Sequence, residues 1–299
     1  MQPRRADCPA EERLELASKV ALFARLVKVE HSVYALPFAY AGALLAEQRV
    51  PSWQDLAWIT VAMVAARSAA MALNRLVDAE LDARNPRTAA REMPMGLLRR
   101  SEVLLFIVAS LAVLVLAAFE LSAPCRYLWP IPVAAFVLYP YTKRFTALCH
   151  YVLGLTDGLA PAAAWIAVSG RLSLSPVLLF FAVGLWVGGF DVIYAVFDLE
   201  FDRREGVRSI PVALGVPRAM AIAALSHLGA VALLFWIGAA LSLPWVYFAG
   251  CGLVAALLAA SHIDIAVRGL RRVGMAFMTA NGVVSVVYFG TVLAAVLAR

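Results

Sequence analysis

The sequence predicts an all-α membrane protein with about nine transmembrane helices, and three observations point to this fold class. The 299 residues are 63% hydrophobic and only 15% charged, which is far from the balance of a soluble domain. The apolar residues run in long blocks, and a spanning helix needs roughly 20 of them. The basic residues collect in short loops between these blocks, as they do in helical membrane proteins.

The predicted spans follow one another along the whole chain. Each is an apolar block close to the length that a helix needs to cross a bilayer. The first begins beside Lys28, Glu30 and His31, and the fourth contains several prolines, so these two spans have the least regular sequences. The nine spans centre on residues 24–46, 55–74, 102–121, 125–141, 150–169, 175–198, 213–240, 243–261 and 275–297.

The distribution of charge predicts the domain organisation and the topology. No linker interrupts the spans, so we expect one domain over residues 1–299.

The segment 1–20 mixes acids and bases without an apolar core, which predicts a short cytoplasmic segment and not a signal peptide. Of the 26 lysines and arginines, 21 fall on the N-terminal side of the membrane and 4 on the other, with Arg67 inside a span. The N-terminus is therefore predicted to be cytoplasmic, and the net charge of +6 indicates topology instead of a nucleic acid partner.

A polar stripe follows the second predicted helix toward its cytoplasmic end. Asn74, Asp78 and Asp82 are spaced by four residues, so a continuous helix stacks them along one face. Arg67 lies seven residues before Asn74 and falls on the same stripe. Charged residues at this depth are costly in a membrane, which favours a functional role.

A second stripe, at the end of the sixth predicted helix, echoes the first. It consists of Asp191, Tyr194, Asp198 and Asp202, and the offset of four spans between the stripes suggests an internal duplication. Magnesium takes oxygen ligands, typically one or two carboxylates plus substrate phosphates. Two carboxylate stripes, each followed by arginines, therefore predict a site for Mg²⁺ and a diphosphate.

Several of these residues also have plainer interpretations. A carboxylate at a helix end can be a solvated loop residue, and Arg67 with Asp191 can form a structural ion pair within the membrane. Arg87, Lys143 and Arg208 can be positive-inside anchors, although cationic side chains, and guanidinium groups above all, suit phosphate binding.

Aromatic, histidine and cysteine residues carry less information. Tyr139 closes the fourth span on the same side, where an aromatic belt explains it about as well as a substrate contact does. The four cysteines are scattered and indicate neither a disulfide framework nor a zinc site. The histidines show no ligand-like partners in the sequence and are assigned no metal; they are His31, His150, His227 and His262.

Three motifs together resemble the UbiA superfamily of intramembrane prenyltransferases. They are NRxxDxxxDxxNPRTxxR at Asn74–Arg91, YPYTKRFT at Tyr139–Thr146 and DxxYxxxDxxFDxxxGxxSIP at Asp191–Pro211. The first span and the RTAARE sequence are most similar to the bacterial 4-hydroxybenzoate polyprenyltransferase branch. Two departures stand out: Arg75 replaces an aspartate that many relatives have, and Phe197 replaces a frequent glutamine.

The resemblance implies two pseudo-repeated four-helix halves plus one helix, open laterally to lipid, in the cytoplasmic (inner) membrane. The implied activity is Mg²⁺-dependent transfer of a polyprenyl group from polyprenyl diphosphate to a 4-hydroxybenzoate-like aromatic acid in quinone biosynthesis. The implied metal ligands are Asp78, Asp82, Asp198 and Asp202. The groups expected beside the diphosphate are Asn74, Lys143, Arg87, Arg208 and Tyr139. Membrane lipid is the other partner, and no obligate protein partner is implied.

The expected chemistry assigns further roles at the reacting carbons. Tyr139 and Tyr194 are candidates to stabilise an allylic cation through their π faces. Asp191 is the candidate to orient the acceptor or accept its proton, and Arg67 or Lys28 could pair with an acceptor carboxylate. Two alternatives stay open: a dihydroxynaphthoate acceptor for menaquinone by the futalosine route, and a secondary transporter, which also has internal repeats.

The charge asymmetry yields a test of topology. In a background without the native cysteines, Arg91→Cys and Arg204→Cys are expected to react with an impermeant maleimide only from the cytoplasmic side. Arg171→Cys is expected to react only from the opposite side, since its loop belongs to the poorly charged set. Labelling of residues 91 and 204 from opposite faces would refute a single site formed by both stripes.

Overall fold

The computed structural model describes the backbone of residues 9–299 and the side chains of residues 18–28, 36–269 and 282–299. Within this part of the chain every regular element is a helix. The helices are α1 Pro9–Leu26, α2 Val29–Glu47, α3 Trp53–Arg84, α4 Arg100–Glu120, α5 Cys125–Leu128, α6 Pro130–Thr142, α7 Cys149–Ser169, α8 Leu174–Ala195, α9 Leu199–Glu205, α10 Ile210–Leu214, α11 Val216–Ala240, α12 Trp245–Arg268 and α13 Leu270–Leu297. A 3₁₀ turn, Val196–Asp198, joins α8 to α9.

Six stretches of the described chain are helical, long and apolar enough to cross a membrane: α3, α4, α7, α11, α12 and the continuous segment from α8 through α9. The shorter apolar helical stretches Leu36–Glu47 and Gly282–Leu297 overlap the first and last predicted spans. The all-helical membrane class is thereby confirmed, whereas the count of nine spans stays a prediction. Residues 1–8 of the predicted N-terminal segment lie outside the described residues.

The structure divides two of the predicted spans at residues that the sequence marks as irregular. Lys28 has a φ of 48°, in the left-handed region, and separates α1 from α2. Pro130 begins α6 directly after the short α5. A proline lacks the N–H that a helix interior needs, so it starts a helix more readily than it continues one.

The ends of α3 are set by local chemistry. Ser52 caps its first turn, with the side-chain oxygen accepting a hydrogen bond from the Asp55 N–H at 3.1 Å. At the other end Asn85 is extended, with φ −91° and ψ 118°, because Pro86 disfavours helical geometry in the residue before it. The Thr88 hydroxyl then donates to the Asp82 carbonyl at 2.9 Å. These contacts turn the chain sharply and hold Asn85 beside the last turn of α3.

Small residues let α7 and α8 pack with their backbones almost in contact. A Cβ atom on Gly154 would lie 2.2 Å from the Gly184 carbonyl oxygen, and one on Gly158 would lie 2.3 Å from that of Phe180. Close backbone approach through small residues is a common way for helices to associate in membranes. It brings the first turn of α7 next to the last turns of α8.

This packing predicts that α7 tolerates no methyl group at Gly158. Gly158→Ala is expected to lower the free energy of unfolding by about 1–3 kcal/mol, because the methyl group must push the α8 backbone away. The matched control is Gly252→Ala in α12, where a Cβ atom meets open space, and alanine should be neutral or slightly stabilising. Thermal unfolding in detergent would compare the two, and equal midpoints would contradict the close α7–α8 packing.

Candidate functional site

A cleft opens where α3, the loop after it, α6, α7 and the α8–α9 segment meet. Its empty volume is about 1120 Å³, counting space open to solvent. We call it the carboxylate cleft. Ten of the predicted site residues line it: Asn74, Asp78, Asp82, Arg87, Tyr139, Lys143, Asp191, Tyr194, Asp198 and Asp202. The two predicted stripes therefore converge on one site.

The carboxylate of Asp78 is the most buried acidic group of the cleft, with 2% of the residue exposed. Its Oδ2 accepts hydrogen bonds from Lys143 Nζ at 2.5 Å and from Asn74 Nδ2 at 3.1 Å. The Asn74 contact confirms that the i, i+4 spacing stacks the two side chains. The other oxygen, Oδ1, is buried without a hydrogen-bond partner. A buried carboxylate oxygen in this condition is costly, so it is a natural ligand for a cation.

Asp82, one turn further along α3, lies between two guanidinium groups. Arg91 Nη1 donates to Asp82 Oδ2 at 2.7 Å, and Arg75 Nη1 lies 3.8 Å from the same oxygen. Arg75 is 6% exposed and lines the cleft. Many relatives have an aspartate at this position, so the arginine adds a buried positive charge to the site instead of a third carboxylate on the first stripe.

Asp198 is held by the loop that follows α3. Arg87 binds it through two guanidinium nitrogens, with Nε 2.9 Å from Oδ1 and Nη2 bonded to Oδ2, the fork geometry that suits carboxylates. Asn85 Nδ2 also donates to Oδ1 at 3.2 Å. Burial opposes the charge on Arg87, but the hydrogen bonds and negative charge of Asp198 outweigh it and raise the pKa of the guanidinium. Arg87 also lies 5.7 Å above the Tyr194 ring.

The second stripe does not run along one unbroken α-helix. The 3₁₀ turn Val196–Asp198 interrupts it, and α9 begins at Leu199. Asp191 and Asp202, on either side of the interruption, nevertheless both line the cleft. Asp202 is 7% exposed, and its carbonyl accepts hydrogen bonds from the N–H groups of Gly206 and Val207. In the described chain no cation forms an ion pair with its carboxylate.

The donor set of the cleft fits a hard divalent cation. Carboxylate oxygens are the ligands that Mg²⁺ prefers, and the unpartnered Oδ1 of Asp78 supplies one directly. Among the described residues, no three His, Cys, Asp or Glu side chains already form a metal-sized cluster. Three of the carboxylates form ion pairs with basic side chains: Asp78 with Lys143, Asp82 with Arg91 and Asp198 with Arg87.

Three predicted residues do not line the cleft. Arg208 is exposed and its Nη1 donates to the Phe145 carbonyl at 2.8 Å, while its N–H donates to the Lys143 carbonyl at 2.8 Å. It thus supports the loop after α6, and its predicted diphosphate contact stays a prediction that this geometry does not favour. Arg67 lies deeper along α3, with a buried Nε that has no hydrogen-bond partner. Lys28, the other candidate for an acceptor carboxylate, is not a lining residue.

The structure also reveals site residues that the sequence analysis did not assign. They include Arg75, Asn85, Arg91 and His150. Asn85 and Arg91 belong to the quoted NPRTxxR sequence, so the motif itself was the available signal. The sequence shows no ligand-like partner for His150. Instead its Nδ1 lies 2.7 Å from Asp191 Oδ2, a contact between residues 41 positions apart that helix packing alone creates.

Comparison with known proteins agrees with this geometry. The sequence matches the model of the UbiA prenyltransferase family over residues 35–283. The chain is 31% identical over 287 residues to a 4-hydroxybenzoate octaprenyltransferase from Cupriavidus necator, covering 93% of this chain and 99% of the relative. The relative from Tolumonas auensis with the same name is 31% identical over 250 residues, covering 84% and 87%.

Two solved structures show the same fold. A UbiA homologue from Aeropyrum pernix K1, in its apo form, has a TM-score of 0.81 and 31% identity, and the match covers 89% of this chain and 98% of that one. A homologue from Archaeoglobus fulgidus bound to GPP and Mg²⁺ has a TM-score of 0.67 and 17% identity, covering 92% and 99%.

Proposed function

Since the chain belongs to the UbiA prenyltransferase family, we propose that it transfers a polyprenyl group from polyprenyl diphosphate to a 4-hydroxybenzoate-like aromatic acid in quinone biosynthesis. It is an integral membrane protein and a prenyltransferase. The observation that carries the finer proposal is the carboxylate cleft, which combines acidic and basic side chains at one end of an apolar helical bundle.

The two ends of the proposed donor substrate need different surroundings. A polyprenyl tail is soluble only in lipid, whereas its diphosphate needs counter-charges. The apolar helices suit the tail, and the charged cleft suits the diphosphate. The loop charges further support placing this cleft at the cytoplasmic face of the inner membrane, where such diphosphates are found.

The cleft supplies charge for the departing diphosphate. Mg²⁺, held by Asp78, Asp82, Asp198 and Asp202, would neutralise the charge that develops on the leaving group. Lys143 and Arg87 already line the cleft, and both are cations that can also face phosphate oxygens. Asn74 offers an amide beside Asp78. These groups favour cleavage of the bond between the first prenyl carbon and its diphosphate oxygen.

The aromatic and acidic residues of the cleft suit the second half of the reaction. The ring faces of Tyr139 and Tyr194 can stabilise the allylic cation, and Tyr139 is anchored by its hydroxyl, which donates to the Ala70 carbonyl at 3.3 Å. The acceptor ring forms a carbon–carbon bond to the cation and then loses its ring proton. Asp191, which lines the cleft, is the residue proposed to orient the acceptor or take that proton. The unpartnered Nε of Arg67 supports a role toward an acceptor carboxylate.

The proposed activity is tested with purified protein in lipid nanodiscs, labelled geranyl diphosphate and a panel of aromatic acids. We expect Mg²⁺-dependent formation of a prenylated 4-hydroxybenzoate, detected by chromatography of the labelled product. Exhaustive chelation should abolish transfer, and added Mg²⁺ should restore it. Preferential prenylation of a dihydroxynaphthoate would move the assignment to the menaquinone alternative, and full activity after chelation would refute the metal assignment.

A second prediction separates the metal end of the cleft from the acceptor end. Asp198→Asn removes a charge proposed to contact Mg²⁺, so turnover should fall for every acceptor alike. A lost charge in a water-poor site commonly costs about a hundredfold or more in rate. Raising the Mg²⁺ concentration should recover part of the loss, because metal affinity is what fell.

Asp191→Asn provides the matched comparison at the acceptor end. Asp191 lies about two helical turns from Asp198, so its loss should leave prenyl diphosphate affinity nearly intact while transfer to the ring falls. The measurement is diphosphate affinity at fixed Mg²⁺ in both variants. If Asp191→Asn weakens that affinity as much as Asp198→Asn does, Asp191 belongs to the metal cluster and its acceptor-side role is wrong.

A further inference from the structure

His150 is a buried polar residue in the wall of the cleft that the proposed mechanism does not yet use. It stands in the first turn of α7, and its side chain is 4% exposed, whereas that of Asp191, which also lines the cleft, is 32% exposed. The ring contacts two other elements at once. Its Nδ1 lies 2.7 Å from Asp191 Oδ2 on α8, and its Nε2 lies 3.3 Å from the backbone nitrogen of Ile210 at the start of α10.

These two contacts determine which ring nitrogen carries the proton. The Ile210 N–H can only donate, so Nε2 of His150 must accept and carries no proton in this arrangement. In a neutral imidazole the other nitrogen is then the protonated one. Nδ1–H of His150 therefore donates to the carboxylate of Asp191, and the backbone of α10 fixes the tautomer that makes this possible.

The hydrogen bond from His150 makes the two carboxylate oxygens of Asp191 different from each other. Oδ2 is occupied by His150, and among the described residues Oδ1 has no hydrogen-bond partner. His150 thus fixes one oxygen of a carboxylate whose residue lines the cleft.

We propose that His150 is a positioning residue that holds Asp191 in the orientation needed to engage the aromatic acceptor. This inference rests on the proposed function, since it deepens the role of Asp191 in that reaction. His150 is not a proton shuttle to solvent, because its Nε2 is occupied by the Ile210 N–H. The ring proton of the acceptor is taken on Oδ1 of Asp191, while the Nδ1–H bond to Oδ2 persists.

The kinetic test compares three variants of the full-length protein in nanodiscs. His150→Ala deletes the donor and is expected to lower kcat by roughly 10- to 100-fold, the usual cost of losing an orienting partner, with KM for geranyl diphosphate changed less than about twofold. His150→Asn places an amide N–H where Nδ1 stood and should restore most of kcat. His227→Ala removes an equally buried histidine, 3% exposed in both cases, which bonds to His262 away from the cleft, and should leave kcat unchanged.

Two kinetic outcomes would overturn the proposal. One is a folded His150→Ala protein with the kcat of wild type. The other is an equal loss in the Ala and Asn variants together with weakened diphosphate affinity, which would make His150 a part of the general packing of the site. If wild type transfers to none of the acids, it is the proposed function that fails.

A spectroscopic measurement tests the hydrogen bond without any transfer reaction. Nitrogen-15 NMR of histidine-labelled protein distinguishes the two neutral tautomers, and the His150 signals are assigned by their absence in His150→Asn. We expect protonated Nδ1 and unprotonated Nε2, with a marked change of the Nδ1 signal in Asp191→Ala. The positioning role would be overturned, whatever the substrate is, by a His150 tautomer protonated on Nε2. It would also be overturned if the His150 signals did not change in Asp191→Ala.

Discussion

Charge compensation at the end of an apolar bundle is the constraint on which the rest of this structure depends. A carboxylate taken out of water costs several kcal/mol unless a cation or a hydrogen-bond donor faces it. Three of the four predicted metal ligands meet this requirement through ion pairs with Lys143, Arg91 and Arg87. The helices and loops must lie so that each basic side chain reaches its partner, and this requirement shapes the cleft.

The same pairs join parts of the chain that are far apart in sequence. Arg87 and Asp198 are 111 positions apart, and their contact ties the loop after α3 to the 3₁₀ turn that follows α8. At the far ends of α3 and α9, Arg84 Nη1 lies 2.9 Å from Glu205 Oε2. Apolar packing cannot specify such a register by itself, because it is not directional. Glycine contacts bring α7 and α8 close, and the polar pairs set which residues meet.

A cleft that pairs its own charges is suited to a ligand that carries both signs. Under the proposed function, the ligand is a metal diphosphate. Its metal ion would face the carboxylates of the cleft, and its phosphate oxygens would face the basic side chains. Arg75 strengthens the basic side of this balance from a buried position. Asp191 stands apart, since its partner is the imidazole of His150 and not a lysine or arginine side chain, which agrees with the proposed role toward the acceptor instead of the metal.

The sequence by itself determined the helical membrane class and the stacking of Asn74 and Asp78 along one face, because block length and i, i+4 spacing are local properties of a helix. Its motifs and their resemblance to a known family added the other predicted residues that line the cleft, among them Arg87, Lys143 and Tyr139. Only the tertiary structure decided which side chains meet: His150 with Asp191, Asn85 with Asp198, and Arg75 with Asp82. It also turned Arg208 away from the cleft and put a 3₁₀ turn within the second stripe. The residue pairs and the position of Arg208 depend on how closely the helices approach one another and on where the loops fold back. Neither property is encoded in the spacing of residues along a single helix.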